Sequence, residues 1–125
     1  MPSAANWFQI PASDITRAKK FYETICGFSL EQLEMPSNME MWAFPADRRK
    51  GEVGGALVCG EGAVASATGT MVFLNGDPDL QGMLDRVEGA GGRIIAAKTA
   101  IGMDAGYFAI ITDSEGNTVG LHSQG

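Results

Sequence analysis

The chain has 125 residues, 45% hydrophobic and 19% charged, with a net charge of −6 at neutral pH. That composition suits a single globular domain with one sizeable core, and the acidity excludes a phosphate-binding surface, which needs clustered Lys and Arg to release counterions. The one basic cluster, Arg48-Arg49-Lys50, lies between Asp47 and Glu52 and reads as solvated loop. No apolar run approaches the roughly 18 residues of a bilayer span, and the start MPSAANWF has neither the basic nor the apolar region of a secretory leader. A cytoplasmic protein is expected, with no membrane and no nucleic-acid partner. Cys26 and Cys59 have no metal-type spacing and read as reduced buried thiols.

In chain order, a strand is expected over Trp7 to Ile10, then a helix over Asp14 to Ile25, capped by Ser13 or Asp14 and closed by Gly27. Ile15, Ala18, Tyr22 and Ile25 form its apolar stripe. Extended segments follow at Phe28 to Glu34, Met39 to Phe44 and Gly55 to Val58. Cys59 to Gly69, CGEGAVASATG, is a small-residue linker. The pattern then repeats. A strand over Thr70 to Leu74 leads to a helix over Pro78 to Ala90, with Asp77 as its cap, Pro78 at its first position and Gly91-Gly92 at its end. Leu80, Leu84 and Val87 make its stripe, and strands follow at Arg93 to Ala97, Tyr107 to Thr112 and Thr118 to His122.

The two copies align without a gap, since 79 − 14 = 65 for the aspartates Asp14 and Asp79, and 92 − 27 = 65 for Gly27 and Gly92. The order βαβββ therefore occurs twice, with module one at about 5–58, the linker at 59–69 and module two at about 70–123. Helices set against mostly antiparallel strands indicate an α+β fold. The last two strands are joined at Asp113-Ser114-Glu115-Gly116-Asn117, where Gly116 and Asn117 are expected to supply positive φ.

Strand alternation separates candidate site residues from core residues. Gly120 and His122 alternate with Val119 and Leu121, and Trp7 and Gln9 alternate with Phe8 and Ile10. Trp7 offers a wall for stacking on a flat ligand, or fills space. Gln9 can orient a polar group or face water. His122, the only histidine, can act as a general base or as a solvated rim residue. Met41 and Trp42 share a strand whose parity is open. Ala96 to Gly106 reads as a loop carrying Lys98, either as an anion contact or as an ordinary solvated lysine. GxGxxG, P-loop and GxSxG signatures are missing, and Gly51-Glu52-Val53-Gly54-Gly55 lacks the Lys and Ser or Thr of a phosphate cradle.

Pro11-Ala12-Ser13-Asp14-Ile15, Ala18-Lys19-Lys20-Phe21-Tyr22, Cys26-Gly27-Phe28, Arg86-Val87-Glu88 with Gly91-Gly92, and Asp113-Ser114-Glu115-Gly116-Asn117 together resemble the vicinal oxygen chelate superfamily of glyoxalase I, bleomycin-resistance proteins and extradiol dioxygenases. The resemblance implies paired βαβββ modules curled into a cup-shaped sheet, with helices outside and a pocket inside. It implies metal ligands on the first and last strands of each module. The matching positions are Trp7, Thr70, Ala56 (or Gly55) and Gly120, none of them a ligand of that kind, so no metal and no cofactor is expected. The residues expected to bind a ligand are Trp7, Gln9, Trp42, Thr70, Tyr107 and His122.

A homodimer is implied, because the family commonly pairs modules across subunits. The leading expectation is metal-independent binding of a small, flat organic molecule, as in the bleomycin-resistance branch. The alternatives are a glyoxalase-like lyase or isomerase, or a dioxygenase-related enzyme, with His122 as acid and base. A further alternative is a regulatory or accessory protein with a vestigial cup.

Overall fold

The computed structural model describes residues 4–35 and 38–125. Each half is a four-stranded mixed sheet built to one plan. In the first, β1 (Trp7–Pro11) pairs in parallel with β4 (Gly54–Cys59), followed by β3 (Glu40–Ala43) and β2 (Glu31–Leu33), giving the order β1-β4-β3-β2. In the second, β5 (Phe73–Asn75), β8 (Thr118–Ser123), β7 (Tyr107–Thr112) and β6 (Arg93–Ala100) repeat it as β5-β8-β7-β6. The α+β class and the doubled βαβββ order are as the sequence predicts.

Helix α1 (Ile15–Cys26) starts where the Asp14 carboxylate accepts from the Arg17 N–H at 3.1 Å. It ends at Gly27, whose left-handed φ of 77° aims its N–H at the Glu23 carbonyl. Helix α2 (Gln81–Val87) is shorter than the sequence predicts. The Asp77 carboxylate accepts from the Gln124 N–H instead of capping a helix, and the Leu80 N–H is taken by Ser123 Oγ, so regular helix begins only beyond them. After Val87 the chain continues in tight turns to Gly92.

Both helices and one face of each sheet enclose a common core that includes Phe21, Tyr22, Leu57, Leu80, Ile111 and Leu121. The helices pack on one another. Arg86 of α2 fastens the contact by donating from Nη2 to the Ile25 carbonyl, one of the orphan acceptors at the end of α1, at 2.8 Å. Sheet pairing refines the repeat. Gln9 pairs with Ala56 and Phe73 with Gly120, so the strands repeat at 73 − 9 = 120 − 56 = 64. Buried Tyr22 and Val87 still match at 87 − 22 = 65, which puts one extra residue between strand and helix in module two.

Candidate functional site

Each sheet has one face on the helices and one free of them, and register decides which side chains share the free face. On the first sheet Phe8, Ile10 and Leu57 belong to the helix side, so Trp7, Gln9 and Pro11, opposite Gly54, Ala56 and Val58, occupy the free side. Met41, opposite Val58, joins Ala56 and Val58 there in a small apolar cluster.

Trp7 lies down on Gly54. A β-carbon at Gly54 would stand 3.2 Å from Trp7 Cζ3, a close approach that glycine alone leaves comfortable. Beyond the indole, a 3-10 turn at Arg48–Lys50, capped by Asp47, brings the Arg48 guanidinium 5.9 Å from the ring centroid, at the outer limit of a cation–π contact. Nη1 of Arg48 donates to the Asn6 and Glu52 carbonyls. Trp7 remains 38% exposed.

On the second sheet Val119, Leu121, Ala109 and Ile111 face the helices. Phe73 and Asn75 therefore share the free side with Gly120 and His122, and Phe108 and Ile110 lie beside them. Phe73 is 49% exposed and lies over Gly120, where a β-carbon would collide with its ring. His122 Nε2 stands 2.8 Å from the Ala105 carbonyl. A carbonyl only accepts, so Nε2 carries the proton and Nδ1 is the basic nitrogen of the neutral ring.

Between the two halves runs a cleft of about 110 Å³ with a mixed lining, Gln9, Ser66, Thr68 and Thr70 alongside the apolar Ile10 and Val72. The linker is pinned along it by Ser66 N–H to Asn117 Oδ1 at 3.0 Å and by Thr118 Oγ1 to the Ala67 carbonyl at 2.9 Å.

The expected site residues thus separate into groups. Trp7 and Gln9 share the free face of the first sheet, and Gln9 and Thr70 both line the cleft. His122 is on the second sheet. Trp42 and Tyr107 both lie on the helix side, away from Trp7 and Gln9. Trp42 pairs with Leu57, packs on the core, donates from Nε1 to Glu40 and carries Lys19 Nζ 4.9 Å from its ring centroid. Tyr107 pairs with Ser123 and packs on the same core under Lys98.

Lys98 is corrected, because β6 runs to Ala100 and places it on a strand, 2.8 Å from Asp79. That partner and the Gln81 N–H hold the Asp79 carboxyl below its usual range. Thr70 precedes β5 rather than standing on it, so the position that pairs with Gly120 is Phe73. In module one the equivalent first-strand position is Gln9 rather than Trp7. Arg48, which the sequence left in a solvated loop, comes to lie beside Trp7. Its link to Trp7 spans 41 positions (48 − 7), with no local signal to reveal it.

The family's metal can be tested against these positions. The first-strand and last-strand pairs on the free faces are Gln9 with Ala56 and Phe73 with Gly120. A hard divalent ion takes carboxylate and imidazole donors, and this set supplies one neutral amide, so the residues do not fit. Among the described residues no group of three or more His, Cys, Asp or Glu is placed to hold an ion. Burial pushes the Cys26 thiol up to about 12, which disfavours its reactive thiolate form.

Paired βαβββ units with a free sheet face apiece define a class of fold, and a family match specifies it further. The chain belongs to the Glyoxalase/Bleomycin resistance protein/Dioxygenase superfamily, whose pattern matches residues 4–121. Solved structures share the fold. Glyoxalase I of Leishmania major has a TM-score of 0.70 at 13% identity, covering 98% of this chain and 87% of that one. The fosfomycin resistance protein FosX of Listeria monocytogenes has a TM-score of 0.66 at 13% identity, covering 98% and 92%. For maize (Zea mays) glyoxalase I the TM-score is 0.66 at 15% identity, and this chain spans 45% of its length. At such identities the likeness carries the fold alone. Among curated proteins no match is found. Among the described residues no helix is long and apolar enough to cross a membrane.

Proposed function

We propose that the protein binds a small, flat organic molecule on the free face of the first sheet, against Trp7, without a metal ion, and that it does so as a cytoplasmic homodimer. The observation that carries this reading is the half-exposed indole laid on Gly54 beside Gln9, where the pairs Gln9/Ala56 and Phe73/Gly120 offer no metal-binding set. An indole face with one adjacent amide suits stacking on a planar ligand with a single orienting hydrogen bond. A second copy would cover apolar surface that the helices leave open, such as the half-exposed Phe73 on the second sheet.

Fluorescence tests this reading. In a Trp42→Phe protein, where Trp7 is the sole tryptophan, titration with naphthylmethanol should quench emission saturably. The affinity should not change when Zn, Ni, Mn or Fe(II) salts are added. Trp7→Ala should lose binding measured calorimetrically, and unchanged binding in that variant would refute the reading.

One observation favours a second reading, a lyase or isomerase using His122 as acid and base. Its Nε2 is committed to Ala105, which leaves Nδ1 as the proton acceptor on a face shared with Asn75. Under that reading His122→Asn abolishes turnover of a substrate that the wild type consumes.

A further inference from the structure

The Trp7 face is not electrically neutral, although the protein as a whole is acidic. Arg48, against the indole, also lines a broad open depression of about 590 Å³ together with Pro45, Ala46, Asp47, Arg49 and Glu52. Three cations, Arg48, Arg49 and Lys50, meet two carboxylates here, and both carboxylates are engaged within the loop. Asp47 Oδ1 accepts from the Arg49 N–H at 3.1 Å and lies 3.7 Å from Arg49 Nε, and Glu52 Oε1 accepts from the Asp47 N–H at 2.6 Å. Arg48 is tethered through Nη1 alone. Its Nε and Nη2 donors have no partner among the described residues, and they are the planar fork that matches a carboxylate or similar oxyanion.

Resting on the reading of Trp7 as a stacking wall, we propose that the ligand is a planar anion: an aromatic or conjugated ring on Trp7 with an acidic group on the fork of Arg48, at the mouth of the depression beside Arg49. With a net charge of −6 the distant field repels anions, and at physiological salt it is screened within about 8 Å. Selectivity for an anion therefore comes from the local pair. Arg48 is exposed on a surface turn, so its replacement leaves the core untouched.

The test compares naphthoate with naphthylmethanol, two probes of one ring system that differ in charge, in the Trp42→Phe background at low and at physiological salt. Naphthoate is expected to bind at least tenfold more tightly. Arg48→Gln should erase the preference, bringing the affinities for the two probes within twofold of each other, and Arg48→Lys should restore part of it, as a point charge without the fork. Added salt should narrow the gap in the wild type but not in Arg48→Gln.

Equal affinities for the two probes overturn the anionic assignment and leave the flat-ligand reading standing. A preference that survives in Arg48→Gln also overturns it, since the charge would then be read elsewhere. Failure of both probes to bind takes down the flat-ligand reading and this inference together.

Discussion

The helix side of the molecule and its free sheet faces use polar and apolar residues in opposite ways. Where the β7–β8 turn meets α1, polar groups are dense and saturated. The buried Asp113 carboxylate accepts from Tyr22 Oη at 2.6 Å, from the Glu115 and Asn117 N–H groups and from Asn117 Nδ2, which also donates to the Pro11 carbonyl. Glu115 accepts from Ser13, the Asp14 N–H, Arg17 and Ser114. No buried side-chain polar atom among the described residues lacks a partner. The free faces carry instead exposed aromatics laid over glycines, Trp7 on Gly54 and Phe73 on Gly120. A cluster of carboxylates next to a tyrosine looks like catalytic equipment, yet here every acceptor is spent on holding the halves together. The face proposed to take a ligand is the one that carries these exposed aromatics.

This contrast can be broken at either end, and the largest effect is expected at Asp113. Asp113→Ala strands four donors in a buried place and should cost about 3–5 kcal/mol in denaturant unfolding. Tyr22→Phe, which removes one of those donors, should cost about 1–2 kcal/mol. The tyrosine hydroxyl is itself held far from ionising, first by burial and then by Asp113, so this contribution should be flat across neutral pH.

Glu115 falls between those two. Burial alone would push its carboxyl up, but hydrogen bonds from Arg17, the Asp14 N–H, Ser13 and Ser114 hold it down at about 2. Because the folded value is depressed, the unfolded chain takes up the proton first. The stabilisation is present above about 4.5, the ordinary carboxyl value, and is lost as pH falls toward 2. Glu115→Gln should destabilise by about 1–3 kcal/mol at neutral pH and flatten the acid limb of the stability profile between those values. An unchanged acid limb would contradict this role.

The free face predicts a different signature. Gly54→Val should lift Trp7 off the strand and weaken naphthylmethanol binding about tenfold or more, with a stability loss of about 1–2 kcal/mol from crowding. The smallest effect lies at the β6–β7 tip, where Met103 and Asp104 both adopt left-handed φ, 51° and 58°, with Met103 96% exposed. Met103→Gly should stabilise by about 0.5–1 kcal/mol in thermal unfolding, because glycine tolerates that conformation.

Much of the fold was legible because helix stripes, glycine caps and the repeat all agreed, as Tyr22 and Val87 illustrate. Face assignment was harder wherever neighbours are apolar on both sides. Tyr107-Phe108-Ala109-Ile110-Ile111 contains no polar alternation, so nothing local turned Tyr107 toward the helices. The parity of Trp42 hung on where β3 began. Asn117 was read as a turn residue needing positive φ. Only Gly116 of that pair adopts it, and the Asn117 side chain instead joins Pro11, 106 residues away, to the turn. Thr70 was assigned to a strand because the pinning of the linker by Asn117 and Thr118, which delays β5 to Phe73, is a tertiary effect.

The separation of scaffold from binding face is tested most directly by an amide NMR titration of the native protein with naphthoate. The account predicts saturable shifts concentrated at Trp7, Gln9, Gly54, Ala56 and Arg48, with Tyr22, Asp113 and Asn117 unmoved. Shifts centred on Asp113 and Asn117, or on Asn75 and His122 with Trp7 silent, would contradict it.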